Sequence, residues 1–329
     1  MRVKAVLMDG FGGPEVLSLG TAPDPVIGEN ELLVRVRATA LNRADLLQRM
    51  GGYPAPKGTS DILGLEMAGE VVHAGPAVSG WKRGDRVCAL LPGGGYAELV
   101  AVPAGMAMRI PEGMTFEQAA AIPEVFLTAY LNLFRLAGLQ AGDKVLVHAG
   151  ASGVGTAAIQ LIREAGATSM VTAGSSEKLN QCIQLGATAG WNYKNGPFAS
   201  WVHERTDGRG VDIILDFIGA PYFEQNITSL AVDGRLVVIG TMGGTDVPML
   251  NLGEILRRRL QIIGTALRSR SRSYKVQLTQ DFAAFALPRF ADGRLKPVID
   301  RVFNWTEVQE AHAYMASNAN TGKIVLRVS

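Results

Sequence analysis

Cysteine is scarce in this chain of 329 residues: Cys88 and Cys182 are the only two. Two cannot build a disulfide framework, so the sequence fits a reducing compartment. Each reads as a small buried hydrophobe rather than a reactive thiol. Excess charge is missing as well. Lys and Arg number 32 against 30 Asp and Glu, a net +2, which gives no reason to expect nucleic acid or a membrane surface as the main partner. No apolar run reaches the roughly 18 residues that could span a bilayer, and the opening MRVKAVLMDGFGGPEVL lacks the apolar core of a secretory signal. A soluble, cytoplasmic protein is expected. The four histidines, His73, His148, His203 and His312, have no clear catalytic setting. No G-x-S-x-G elbow accompanies them, so nothing points to a Ser-His-Asp triad.

What the chain does contain is glycine, 39 of them, within a composition 47% apolar and 19% charged. That suits a well-packed globular protein, and the length exceeds the usual single domain. The first 110 or so residues read as short strands divided by Gly, Pro and Asp turns, as in a compact barrel or sandwich. One helix, Arg43 to Met50, interrupts them. Thr115 and Gln118 have the spacing of a capping box at the start of FEQAAAI. From there strand-like and helix-like segments alternate: KVLVHAG, TSMVTAG, GWNY, VDIILDF, GRLVVIG and LQIIGTAL, each but the last followed by a helical run. Strands so uniformly apolar are buried on both faces, and right-handed crossovers then lead to a doubly wound parallel sheet. The expected fold class is α/β. Residues 1–124 with 269–329 form a β-rich domain completed by both chain ends, and 125–268 a nucleotide-binding domain.

The turn HAGASGVGTAAIQL carries the strongest chemical signal. Gly150, Gly153 and Gly155 sit between an apolar strand and a helix, and from Gly153 the spacing fits G-x-G-x-x-A. The unpaired N–H groups and the dipole of a helix start bind an anion without any cationic side chain. Glycine lets a pyrophosphate approach the backbone, Ser152 has a hydroxyl to offer, and Ala158 permits close helix–strand packing. Near the end of the next strand, where an Asp or Glu would bind a free ribose 2′-hydroxyl, the chain reads TAGSSEK. Gly174 and Ser175 with Lys178 and nearby Tyr193 form instead a pocket for a 2′-phosphate, which favours NADPH. Lys178 also reads as an ordinary solvated lysine, and Glu177 as a helix-start acid turned to solvent.

ALNRADLLQRMGGYP, AAAIPEVFLTAY, HAGASGVGTAAIQL, VTAGS with Lys178, WNYK and TGKIVL together resemble the zinc-free quinone oxidoreductases of the medium-chain dehydrogenase/reductase superfamily, the zeta-crystallin group. Within it the chain resembles the tumour-suppressor-inducible branch, and the match runs essentially end to end. The resemblance implies a GroES-like β-barrel, an inserted Rossmann domain, and NADPH-dependent reduction of quinones or of other activated double bonds. It places Asn42, Tyr53 and Thr128 around nicotinamide and substrate. It also places Gly150, Ser152, Gly153 and Val154 on the pyrophosphate, and Gly174, Ser175, Lys178 and Tyr193 on the 2′-phosphate. Ile218, Gly240, Thr241, Met242, Thr265, Ala266, Leu267 and Lys323 match further cofactor contacts. Zinc-dependent relatives hold their metal with a cysteine on the first helix and a downstream His-Glu pair. Here Asn42 precedes RAD and Leu65 precedes Glu66, and two distant cysteines cannot form a structural zinc site. No metal is expected.

Without a metal, a quinone needs mainly orientation for hydride transfer and a donor for its developing oxyanion. Tyr53 is the candidate, with Asn42 second; packing of the loop and capping of the helix are the plainer roles for these two, and core packing for Thr128. The basic run RRRLQIIGTALRSRSRSYK raises RNA binding as another reading, set against a near-neutral net charge. A cofactor-binding, crystallin-like structural protein with little turnover is a third. LQIIGTAL, late in the sheet order, is an expected edge strand, and unpaired edges are usually covered. A homodimer joined by antiparallel pairing through it is expected.

Overall fold

The computed structural model describes residues 2–329. In chain order the elements begin with β1 (Arg2–Met8), β2 (Leu17–Pro23), β3 (Glu31–Ala40), α1 (Arg43–Arg49), β4 (Glu66–Ala74), β5 (Arg86–Leu90), β6 (Leu99–Pro103), β7 (Ala107–Arg109), α2 (Phe116–Ala120) and α3 (Pro123–Tyr130). There follow β8 (Lys144–Val147), α4 (Gly153–Glu164), β9 (Thr168–Ala173), α5 (Ser176–Leu185), β10 (Ala189–Asn192), α6 (Ala199–Arg205), β11 (Val211–Asp216), α7 (Phe223–Ser229), β12 (Leu230–Val238), α8 (Leu252–Arg258) and β13 (Gln261–Gly264). The chain closes with α9 (Arg272–Ala291), β14 (Ile299–Asn304), α10 (Val308–Ala316) and β15 (Lys323–Arg327). Two compact units result, one from the residues up to Leu127 with Arg268–Ser329, the other Thr128–Leu267. The sequence puts these boundaries at 124/125 and 268/269.

In the first unit β3 is the centre. It pairs antiparallel with β4, β6 and β15, and its alternating burial sends Leu32, Val34 and Val36 into the core beside Met67, Val87 and Leu326. The strand path runs β14-β15-β3-β4-β5-β7 with β6 branching from β3, and β1 and β2 form a separate hairpin. The expected barrel is thus a GroES-like sheet that is branched and open along its hydrogen bonds. The capping box forms as the spacing demands: Gln118 N–H donates to Thr115 Oγ1 at 3.2 Å, and Thr115 N–H to Gln118 Oε1 at 2.9 Å. Pro123 opens α3 at its first turn, the position where a missing N–H costs nothing.

The second unit is a Rossmann-like parallel sheet of order β10-β9-β8-β11-β12-β13. β8 is almost wholly buried and β11 entirely so, as parallel strands covered on both faces must be. The chain winds outward from β8 through β9 to β10, then returns to β11 on the other side of β8. That reversal puts the topological switch point at the carboxyl ends of β8 and β11, where sheets of this kind bind ligands. β13 is the edge strand expected from LQIIGTAL, paired among the described residues only with β12. No helix among the described residues is long and apolar enough to cross a membrane.

Candidate functional site

The glycine turn lies at that reversal. After β8 the residue with left-handed backbone is Ala149, at φ 48°; no glycine is needed for the turn itself. The glycines serve close packing instead. A Cβ on Gly150 would meet Val171 at 2.7 Å and the Cys182 sulfur at 3.3 Å, and one on Gly155 would meet the carbonyl oxygens of Ala149 and Gly150 at 2.5 Å. Ser152 is the N-cap of α4, its Oγ accepting from Gly155 N–H at 3.1 Å. The N–H groups of Gly153 and Val154 remain as first-turn donors for an anion, since a helix start cannot satisfy them internally.

At the tip of β9, Ser175 caps α5 by accepting from Lys178 N–H at 3.3 Å. Tyr193, 46% exposed, lies over Gly174 so closely that any Cβ there would strike its hydroxyl. Structure therefore brings Gly174, Ser175, Lys178 and Tyr193 into one neighbourhood. It also adds something the sequence reading set aside. The Glu177 amide and the Ser175 hydroxyl hold the Glu177 carboxylate below its ordinary pKa, so an acid that is open to solvent also lies beside Ser175.

The remaining residues matched to the cofactor in this unit gather at the other strand ends. Ile218 follows β11, Gly240, Thr241 and Met242 follow β12, and Thr265 to Leu267 follow β13. Ile218 N–H donates to Asp216 Oδ1 at 2.7 Å, Gly243 N–H to Ile218 O at 2.8 Å, and Thr265 N–H to Val238 O at 3.3 Å. The Thr265 hydroxyl is buried without a hydrogen-bond partner, an unmet donor at the end of the sheet.

In the first unit Asn42 and Lys323 are drawn into a buried ion-pair cluster. Lys323 Nζ donates to Leu41 O at 2.6 Å, Asn42 Oδ1 at 2.7 Å and Glu66 Oε1 at 2.7 Å. Asn42 Nδ2 donates to Glu66 Oε1 at 2.9 Å and Ala40 O at 3.4 Å, so both amide hydrogens are engaged. Glu66 Oε2 accepts from Glu124 N–H at 2.8 Å and so anchors the start of α3, the helix that carries buried Thr128. Asp45, fully buried, accepts from Asn42 N–H at 2.7 Å and Gly64 N–H at 3.1 Å; burial lifts its carboxyl to about 6. Lys323, only 2% exposed, spends its three donors inside this cluster.

Tyr53 is partly buried, which raises its phenol above the usual value, with the Arg268 charge pulling it back. Arg268 lies over the ring at 5.0 Å and donates to Pro92 O at 2.7 Å and Gln48 Oε1 at 2.8 Å. Among the described residues none holds the Tyr53 hydroxyl, which leaves that donor for a ligand. Sequence reasoning missed both Arg268 and the Lys323–Glu66 pair. A lysine inside the apolar run GKIVL was the available sign of a buried charge. The basic run is paired in part: Arg257 and Arg258 share Glu254, Arg259 pairs with Asp233 and Arg272 with Glu31, while Arg270 stacks on Tyr274.

Comparison with known proteins agrees with this geometry. Residues 28–112 match the alcohol dehydrogenase GroES-like domain, and residues 153–284 the zinc-binding dehydrogenase family. The chain is 31% identical to quinone oxidoreductase of Homo sapiens over 327 residues, covering 98% of this chain and 97% of the relative. Among solved structures, an NAD-dependent alcohol dehydrogenase superposes with a TM-score of 0.86 at 33% identity, covering 99% of this chain and 100% of that one. A mycobacterial protein complexed with NADPH superposes with a TM-score of 0.88 at 28% identity, covering 99% of each chain. Sheet order, glycine turn and end-to-end similarity converge: the chain belongs to the medium-chain dehydrogenase/reductase family and is an oxidoreductase related to its quinone oxidoreductases.

Proposed function

We infer that the protein is an NADPH-dependent quinone reductase that needs no metal. The observation that carries the cofactor assignment is the order of groups along the sheet. A serine, a lysine and a tyrosine, with no acid at the strand tip itself, lie by β9 and β10, and backbone donors lie beside them at β8. That order suits a 2′-phosphate followed by a pyrophosphate, which leaves the nicotinamide half over β11 and β12.

Zinc does not fit. Asn42, Leu65 and Glu66 offer an amide already engaged, a hydrocarbon, and a carboxylate neutralised by Lys323. Among the described residues no cluster of three His, Cys, Asp or Glu forms a metal site. Alcohol oxidation, which relies on a Lewis acid to stabilise alkoxide, is not the reading favoured by this donor set.

NADPH supplies the hydride. The chain's task is to hold the reacting atoms in line and to donate a hydrogen bond to the quinone oxygen as charge develops there. With the Asn42 hydrogens engaged, that task falls to the Tyr53 hydroxyl, and solvent delivers the proton. Two buried, unlinked cysteines suit a cytoplasmic protein. A near-neutral chain, net +2, and the pairing of four of these arginines with acids favour a small-molecule substrate over RNA. β13, with exposed Ile262 and with Leu252 and Leu256 on α8, is the surface on which we place an antiparallel two-fold dimer.

Stopped-flow oxidation of NADPH against ortho-quinones, para-quinones and an enone tests the reaction. Quinone-dependent oxidation faster with NADPH than NADH supports it. Oxidation by the enone alone would transfer the assignment to alkene reduction, and NADPH binding without turnover would leave a structural, crystallin-like role.

A further inference from the structure

A buried polar chain in the second unit is not used by the reading above. His148 follows β8 directly and is fully buried, with the rings of Phe198 and Tyr222 each 4.8 Å from its own. Its Nδ1 lies 3.0 Å from Thr172 Oγ1 on β9, and its Nε2 lies 2.7 Å from Asn226 Oδ1 on α7. Asn226 Nδ2 in turn donates to Asp216 Oδ2 at 3.0 Å. Asp216, at the end of β11, also accepts from Ile218 N–H at 2.7 Å and Gly219 N–H at 3.2 Å. Its backbone carbonyl takes Ile239 N–H at 2.7 Å at the end of β12, and Thr172 O takes Gly150 N–H at 2.9 Å. Four side chains therefore join the ends of β8, β9 and β11, and the Asp216 backbone carbonyl ties in the end of β12.

The chain has a direction. An ionised Asp216 only accepts, so it compels Asn226 to present its NH2 group. The Asn226 oxygen then faces His148 and requires a proton on Nε2. The bare Nδ1 completes the sequence by accepting from the Thr172 hydroxyl. Burial supports the neutral ring, lowering His148 to about 4. Asp216 is lifted by burial to about 6, which its donors oppose, and so it is ionised at neutral pH.

We propose that Thr172, His148, Asn226 and Asp216 form a hydrogen-bond relay polarised by Asp216 that positions the 217–219 loop against the glycine turn. These are positioning residues. They let the carboxyl ends of four strands grip the nicotinamide half of the cofactor as one piece. The idea rests on the assignment of NADPH to this sheet, but its core can be read without cofactor.

The first test is the tautomer of His148, read from imidazole 15N shifts in the unliganded wild-type protein at pH 7.5. The Nε2–H form is expected, and an Nδ1–H form would overturn the relay. In Asp216→Asn the polarity is no longer imposed, so the Nδ1–H population should grow. NADPH affinity should fall about tenfold, the scale of one charge-assisted bond. Adenosine 2′,5′-bisphosphate, which lacks the nicotinamide half, should bind that variant as it binds wild type. Equal weakening of both ligands, or no change in either, contradicts the positioning role. Should Asp216→Asn fail to fold, Thr172→Val serves: the Nε2–H form persists if Asp216 sets the direction and is lost if Thr172 does. Failure of the wild type to bind either ligand would sink the NADPH assignment and leave the tautomer result standing.

Discussion

In the proposed 2′-phosphate site at the tip of β9, Lys178, Ser175 and Glu177 each carry a separable expectation. A charge-assisted hydrogen bond to a phosphate is worth about 1.5–3 kcal/mol. Lys178→Ala is therefore expected to raise the NADPH dissociation constant roughly 10- to 100-fold while leaving NADH nearly unchanged, as fluorescence titration with both nucleotides would show. Glu177 is expected to act in the opposite sense, its carboxylate being held beside the Ser175 hydroxyl. Glu177→Gln should tighten NADPH and not NADH, with the gain shrinking as salt is added. A gain shared equally by both nucleotides would mean the carboxylate does not face the 2′ position.

At the scale of elements, the β8–turn–α4 unit depends on contacts that tolerate no added methyl. Gly155→Ala sets a Cβ against two backbone carbonyl oxygens, 2.5 Å away. Overpacking of that kind costs about 1–3 kcal/mol, and the turn that opens to relieve it loses its anion site. Thermal melts should show the first effect and loss of NADPH binding the second. The same unit carries an acid sensitivity. His148 stays neutral in the fold down to about pH 4, whereas an unfolded histidine takes up its proton near 6.5. Its contribution is complete above pH 6.5 and is lost as the pH falls from there towards 4, amounting to as much as about 3 kcal/mol. Asp216, raised to about 6, works the other way over the same range, since the folded state then binds the proton more tightly than the unfolded one. The two largely cancel, so His148→Gln should tilt the pH dependence of the denaturation midpoint between pH 6.5 and 4.5 towards greater relative stability in acid, and an unchanged slope would place the sensitivity elsewhere.

For the whole molecule the exposed sheet edge bears on assembly. Leu252 and Leu256 lie one helical turn apart on α8, Leu256 78% exposed, near the end of the sheet that β13 leaves unpaired. Unpaired edges flanked by apolar side chains invite a partner. Light scattering should report a dimer, and Ile262→Lys with Leu256→Glu should give a monomer that still binds NADPH.

Sequence alone determined what is local and repetitive. The βα alternation, the glycine turn before α4, the Thr115–Gln118 box and the residues around Gly174 follow from short-range spacing, because periodicity and turn chemistry act within a few residues; the edge character of LQIIGTAL follows from its late place in that alternation. Only the tertiary structure decided that Ala149 makes the turn while Gly150 and Gly155 make room. It also placed the Lys323 ammonium on Leu41, 282 positions earlier, and His148 on Asn226, 78 positions later. The reason is physical. A buried charge or imidazole must find its partners wherever the fold brings them, and no short window of sequence contains both halves of such a pair.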